Sequence, residues 1–294
     1  MFEIAPVNGD FVAEIAGVNL QADLTTELAR QLQAALDKYA VLILPNQPLD
    51  ETQHLRVAEV FGPLETSIGS YVANANKPRR LKYDQLSDIS NIDESGKLLS
   101  NDDMRKLVLL SNQLWHTDSS FKRVPASVSM LAAQEIPPLG GATEFADMRA
   151  AWDQLDPEMQ SSIEGLVAVH DYFHSRSLTG FDICSIPSEW RSRQPPAKQV
   201  LVRTHNNNRK SIYLAAHIQS IVGLPDDEGK ALIDRLMSFA TQPAFVYRHR
   251  WRENDLVIWD NRCTMHRGRD YDTKYRRVMR RATIQDIGPT VIDQ

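Results

Sequence analysis

Between Thr25 and Ala40 the chain reads TTELARQLQAALDKYA, setting Leu28, Leu32, Ala35, Leu36 and Tyr39 on one face at helical spacing behind a Thr able to cap the first turn. This predicts an amphipathic helix. It runs without a break into AVLIL, a continuous apolar run that predicts a buried strand ending at Pro45. A second helix is predicted from Asp50, carrying Leu55, Val57, Val60 and Phe61 and stopping at Gly62-Pro63. From 65 to 106 the chain is rich in Asn, Ser, Asp and Lys with weak periodicity, which predicts a long loop holding short pieces of structure. Loops of that length in compact proteins often cover a site.

From 126 onward the pattern shortens. SVSMLAAQ, ATEFAD, GLVAVHDYF, QVLVRTH, SIYLAAH, AFVYRHRW, DLVIWD and RVMRRATI are β-rich segments separated by turn residues, and many short strands of this kind predict a sandwich or barrel. Two helical inserts interrupt them. DMRAAWDQLDPEMQSSIEGL carries N-cap signals at Asp147 and Asp156-Pro157, and PDDEGKALIDRLMSFA stripes Leu232, Leu236 and Phe239. The Ser-, Pro- and Arg-rich stretch 175–198 predicts a second, mobile crossover loop. No repeat or low-complexity tract divides the chain, so a single domain over 1–294 is expected.

Composition narrows the class. With 42% hydrophobic and 24% charged residues the chain is an ordinary globular sequence, and a net charge of -5 argues against nucleic acid as a partner. Cys184 and Cys263 are too few for a disulfide framework or a thiolate metal cluster, and such sparse use suits the reducing cytoplasm. The N-terminus lacks a signal-peptide pattern and no apolar run approaches the roughly 20 residues of a membrane span, so no membrane partner is expected.

The candidate chemistry begins in SNQLWHTDSSF. In extended backbone, residues i and i+2 point the same way about 6.6 Å apart, so His116 and Asp118 can both reach one ion. With one distant His they would form a two-His, one-carboxylate set, which leaves coordination positions open and suits non-haem Fe(II) working with O2. Of the eight histidines, His266 stands out, lying just after the apolar strand DLVIWD and among polar and basic residues. Read alone, H-x-D is common and is more often a hydrogen-bonded strand end than a metal site. In YRRVMRRAT, Arg277 and Arg281 fall on one strand face about 13 Å apart, enough for two separate anions. The alternative is a basic strand edge facing water. His170 and His174 are four apart, but VAVHDYFHSR reads as a strand and lacks the Glu of an H-E-x-x-H zinc site.

WHTDSSF, GGATEFADM, WDNRCTMHRGR and YRRVMRRAT, in this order, resemble the Fe(II)/2-oxoglutarate-dependent taurine dioxygenase superfamily, and within it the members acting on phenoxyacetate-type acids. FGPLE, KYDQLSDISN, LVRTH, FVYRHRW and GRDYD extend the likeness over nearly the whole chain. Together with the strand pattern, the resemblance implies a mixed, mainly β fold: a double-stranded β-helix, or jelly roll, with flanking α-helices and active-site loops at 65–106 and 175–198. It makes His116, Asp118 and His266 the iron ligands. Thr143 and Arg277 match positions that hold the far carboxylate of 2-oxoglutarate, and Arg281 the position that binds the substrate's acidic group. Asn112, His205, His217 and Lys97 match weaker candidates for substrate contact. TSIGSYVANANKPRRL departs from the family pattern where a loop would cover the substrate.

The implied reaction consumes O2 and 2-oxoglutarate, releases succinate and CO2, and hydroxylates the carbon beside the ether oxygen of a phenoxyacetate, which then splits to a phenol and glyoxylate. The implied partners are a small anionic substrate and further copies of the chain, since the superfamily commonly forms dimers or tetramers. Two rival readings are the same chemistry on a sulfonate, a sulfate ester or a natural aryl acid, and a non-oxidative metal-dependent hydrolase or binding protein.

Overall fold

The computed structural model describes residues 2–22, 24–71, 79–100 and 103–292. The stretch expected to cover the substrate, 65 to 106, therefore lies partly outside the described residues, at 72–78 and 101–102.

The first helix, α1 (Thr26–Tyr39), starts where Thr25 Oγ accepts the Leu28 N–H and ends where Ala40 turns left-handed (φ 61°). That turn delivers the chain directly into β3 (Val41–Leu44), as the uninterrupted apolar pattern implied. Helix α2 (Glu51–Glu59) opens on a capping box in which Asp50 and Gln53 satisfy one another's backbone N–H groups.

The main sheet runs in the order β1 (Glu3–Asn8), β2 (Val12–Ala16), β3, β13 (Leu256–Asp260), β5 (Ala126–Glu135), β15 (Val278–Gln285) and β4 (Leu86–Asp88). A second sheet runs β12 (Val246–His249), β6 (Thr143–Asp147), β14 (Thr264–Gly268). Smaller sheets pair β11 (Ile218–Ile221), β7 (Val167–His170) and β8 (Ala197–Val200), and β10 (Lys210–Ile212) with β9 (Val202–Thr204). The architecture is mixed and strand-rich.

Alternation along the central strands sorts the core into layers. On β13, Leu256 and Ile258 join Leu32, Leu36 and Leu55 of α1 and α2, while Val257 and Trp259 face Phe145 of β6. On β6 the next residue, Ala146, turns the other way, to Trp152 of α5 (Met148–Gln154) and Leu236 of α9 (Asp226–Ala240). The space between the two sheets is where β14, β5 and β15 present inward-pointing residues, and there the polar site lies.

Three expectations change. The hairpin β1–β2 was absent from the predicted elements: β1 is exposed throughout, so no apolar alternation marks it, and only Asn8-Gly9, with Gly9 at φ +49°, signals its turn. GLVAVHDYF is a strand only as far as His170, because the Asp171 carboxylate accepts the Phe173 N–H and starts α7 (Tyr172–Ser177). The stretch 175–198 is not simply a loop, since it holds the end of α7, a 3-10 turn over Ile183–Ser185 and α8 (Ser188–Arg193). The helices α3 (Ile68–Tyr71), α4 (Met104–Ser111) and α6 (Pro157–Ile163) are short. No helix among the described residues is long and apolar enough to cross a membrane.

Two buried histidines outside the site give the fold a pH dependence. Burial, helped at His54 by the Arg280 guanidinium beside it, pushes His54 and His170 down to about 3. An unfolded histidine takes up a proton near pH 6.5, so between about pH 6.5 and 3 the unfolded chain binds protons that the native chain refuses. Stability from these residues is complete above about 6.5 and is lost as pH falls. Urea unfolding in chelator at pH 7, 6 and 5.5 should therefore show falling stability, with His170→Gln shallower by about 1 kcal/mol per pH unit. An unchanged slope in the variant would refute this role for His170.

Candidate metal centre

His116 and His266 lie directly opposite one another in an isolated antiparallel bridge, exchanging both backbone hydrogen bonds, at 3.0 and 2.8 Å. His266 stands on β14 and His116 on the segment after α4, so two distant parts of the chain are held in register by backbone alone. Two residues on, Asp118 turns its carboxylate back between the imidazoles: His116 Nε2 is 3.8 Å from Oδ1 and His266 Nε2 3.7 Å from Oδ2. The next residue, Ser119, is left-handed (φ 51°) and ends the extended backbone. One ligand atom from each of the three buried residues lies within 4.8 Å of the others. Donors about 2.1 Å from one ion stand about 3 to 4 Å apart, so the set fits a single metal ion.

The protonation states agree with that use. Burial pushes His116 down and His266 well below the ordinary imidazole range, so both are neutral ligands at pH 7. Burial acts upward on Asp118, but the neighbouring Arg281, His266 and His116, with the Ser129 hydroxyl, outweigh it and hold the carboxyl at about 2. His116 Nδ1 donates to the Leu114 carbonyl at 2.7 Å, which leaves the Nε2 lone pair facing Asp118. His266 differs: its Nδ1 is buried without a hydrogen-bond partner among the described residues, and the ring is held by packing against Trp259 and Phe145.

The carboxylate has its own support. Ser129 Oγ on β5 donates to Asp118 Oδ2 at 2.7 Å, Asn261 Nδ2 donates to Ser129 Oγ at 2.8 Å, and the Trp259 indole N–H donates to Asn261 Oδ1 at 3.0 Å. Arg281 Nη1 donates to Asp118 Oδ1 at 2.6 Å. Ser129 and Asn261 were not among the predicted site residues. A lone Ser in an apolar strand carries no signal, though Asn261 directly follows the WD of the strand leading to His266.

Two cavities meet at this group. One, of about 220 Å³, is lined by Leu131, Thr143, Trp259, Tyr271 and Arg277. Burial lowers Arg277 to about 10, still protonated at neutral pH; among the described residues its guanidinium has only the Gly141 carbonyl at 3.4 Å and the Tyr271 ring beside it. Thr143 Oγ accepts the Trp251 indole N–H at 2.9 Å. Indole only donates, so the Thr143 proton is left to donate to something else. Trp251 is a further residue that the sequence reading missed.

The other cavity, of about 50 Å³, is lined by Glu65, Phe121, Tyr172, Arg176, His217 and Thr283 among others. Asn112, His116 and Arg281 line both. Strand β15 explains the two arginines: Arg277, Met279 and Arg281 point between the sheets, while Arg280 points the other way to His54 and the backbone of Leu49 and Asp50. The water-facing basic edge is not what forms. His217, 6.1 Å from the His116 ring, has Nδ1 paired with Ser175 Oγ. Two expected contacts are not brought here. His205 Nε2 pairs with Ser211 Oγ and its ring titrates at about 4, depressed chiefly by burial, in the Asp260 and Arg262 cluster, whereas Lys97 is exposed on the Asp93 turn.

Comparisons with known proteins agree with this geometry. The profile of the family described as taurine catabolism dioxygenase TauD, TfdA family matches residues 3–283. The chain is 43% identical over 282 residues to an alpha-ketoglutarate-dependent 2,4-dichlorophenoxyacetate dioxygenase of Cupriavidus pinatubonensis, covering 96% of each chain. It is 36% identical to an (S)-phenoxypropionate/alpha-ketoglutarate-dioxygenase of Sphingobium herbicidovorans, covering 95% of this chain and 93% of the other. A crystal structure of AAD-2 in complex with Mn(II) and N-oxalylglycine aligns with a TM-score of 0.94 at 43% identity, covering 99% of both chains.

If Ser129 holds the carboxylate in place for a metal, Ser129→Ala should weaken Mn(II) binding by about 10- to 100-fold, the usual effect of losing an outer hydrogen bond to a ligand. Calorimetric titration of the two proteins checks this, and equal affinities would remove Ser129 from the site.

Proposed function

This chain belongs to the taurine catabolism dioxygenase TauD, TfdA family, and on that footing we propose that it hydroxylates an aryloxyacetic acid at the carbon between carboxylate and ether oxygen. It is a 2-oxoglutarate-dependent dioxygenase, using Fe(II), 2-oxoglutarate and O2 on a small-molecule substrate. The observation that carries the substrate reading is that two cavities meet at the triad, with Arg277 in the larger and Arg281 where the two join. Two anions, a co-substrate and an acid substrate, account for both.

In this reading His116, Asp118 and His266 hold the iron, which when bound couples oxidative decarboxylation of 2-oxoglutarate to hydroxylation of the neighbouring substrate. The chain's own residues bind and orient. Arg277 and the free Thr143 proton take the far carboxylate of 2-oxoglutarate, in a buried setting where a guanidinium fork is worth most when paired. Arg281 takes the substrate's carboxylate, Asn112 and His217 border the same space, and Phe121 and Tyr172 line it with aromatic surface for the aryl group. Hydroxylation leaves one carbon bearing both a hydroxyl and the aryl ether oxygen. That hemiacetal breaks its carbon–ether bond as the hydroxyl proton passes to the departing phenolate, giving a phenol and glyoxylate without a catalytic base.

The relatives that act on 2,4-dichlorophenoxyacetate and (S)-phenoxypropionate support this substrate class. A second reading has its own observation: Ser67, Gln85, Ser87 and Thr283 give the substrate cavity a largely polar lining, which favours a smaller anion such as a sulfonate or sulfate ester. We read the two sheets as a double-stranded β-helix forming one domain over 1–294, and the sparse cysteines and family likeness support a cytoplasmic homo-oligomer.

Incubation with Fe(II), 2-oxoglutarate, O2 and a panel of aryloxyacetates, sulfonates and sulfate esters should release phenol and succinate in equal amounts with the first group. Succinate release with sulfonates alone would replace the first reading by the second. Arg277→Ala should raise the KM for 2-oxoglutarate, and Arg281→Ala the KM for the acid, each by about 10- to 100-fold, the span expected for losing one charged hydrogen-bonded pair.

A further inference from the structure

The charges that line the smaller cavity leave one of them without a counter-charge. Among its titratable lining residues, Glu65 is paired with Lys122 Nζ at 2.7 Å and also accepts from Ser119 Oγ. Asp118 is paired with Arg281. Buried in this setting, His217 is neutral: Ser175 Oγ donates to the Tyr172 carbonyl and so accepts from His217 Nδ1, which leaves Nε2 as an acceptor. Arg176 remains. Among the described residues no carboxylate pairs with it; Nη1 has a long contact of 3.4 Å to Ser175 Oγ, and Nε is buried without a partner. Its position is nonetheless fixed, because the guanidinium stacks on the Tyr172 ring at 4.3 Å and Tyr172 in turn packs edge-on against Phe121. Stacking occupies the face of the guanidinium and leaves its N–H edge, the side that binds oxyanions, available.

Arg281 meanwhile spends one of its N–H groups on Asp118 at 2.6 Å. A cavity whose expected anion clamp is already shared with a carboxylate, and whose uncompensated cation stands on another element, is arranged to hold an anion between the two. We propose that Arg176 on α7 is a second substrate-binding guanidinium, gripping the acidic group jointly with Arg281 and making a full anionic group the condition for binding. This rests on the dioxygenase reading of the site, but not on the substrate being an aryloxyacetate. It gives the 172–177 segment a direct part in specificity: the acid bridges α7 to β15, and an ester or amide of the same shape cannot satisfy both forks.

The test uses the full-length protein with Fe(II) and 2-oxoglutarate under anaerobic conditions, reading the metal-to-ligand absorption band and its perturbation by phenoxyacetate, phenoxyacetamide and an alkylsulfonate. Arg176→Gln should leave the affinity for 2-oxoglutarate within about twofold, weaken the anion that perturbs the wild-type band by about 10- to 100-fold, and leave the amide unchanged, with Arg176→Lys recovering part of the loss. Unchanged anion affinity in Arg176→Gln overturns the proposal. So does an equal loss for acid, amide and 2-oxoglutarate with a lowered Tm, which would mark Arg176 as structural only, and so does a wild type that binds no anion of the panel. A sulfonate bound through Arg176 by a wild type that makes no phenol would sustain the role of Arg176 while overturning the aryloxyacetate reading.

Discussion

The paired backbone hydrogen bonds between His116 and His266 are the constraint from which the site follows. They fix two imidazoles contributed 150 residues apart, and they do so through main-chain geometry that tolerates any side chain. Asp118 then needs only to return to the same side, which extended backbone provides and the left-handed Ser119 terminates. Ser129 and Asn261 hold the carboxylate between the rings. A polar cluster of this kind, placed between two apolar sheets, is tolerable because nearly every buried polar atom in it has a partner. Among the described residues the exceptions include Nε of Arg281 and Nδ1 of His266, whose ring is positioned by Trp259 and Phe145 instead.

Much of this was legible in the sequence, for reasons that differ from residue to residue. Helices α1 and α2 follow from their caps and apolar stripes, since both signals are local. That Arg277 and Arg281 share a face follows from strand alternation, but alternation leaves open which way that face turns; the structure turns it inward, and adds why the intervening Arg280 is also buried: it serves His54 on the opposite face. Arg176 was missed because it sits in a stretch read as a crossover loop, where the helix start depends on one Asp cap. Ser129 and Trp251 could not be found by pattern, since each matters only through a partner distant in the chain, Asp118 and Thr143 respectively. His205 shows the converse. Its motif likeness was genuine, yet its imidazole is taken up by Ser211 and lies outside both cavities.

The division between the cavities also separates two kinds of support. Thr143, Trp259, Leu131, Arg277 and Arg281 are strand residues, or directly flank strands, in the main sheet and the β12–β6–β14 sheet, whose positions are determined by ladder bonds. Phe121, Tyr172, Arg176 and His217 come from a loop, a short helix and a strand flank. The larger cavity is therefore the more rigid of the two by construction, and the smaller depends on contacts such as the stacking of Arg176 on Tyr172.

Thr143 carries a consequence of its own. Because the Trp251 indole fixes which way its hydroxyl proton points, that end of the larger cavity presents donors only, from both Thr143 and Arg277. Solvent must lose a favourable orientation to enter it, whereas a carboxylate fits without rearrangement. One indole nitrogen thus leaves a neutral hydroxyl to act as a second donor beside a guanidinium, and an oxidised Trp251 would release that hydroxyl to accept instead, while leaving Arg277 and the His116, Asp118 and His266 group in place.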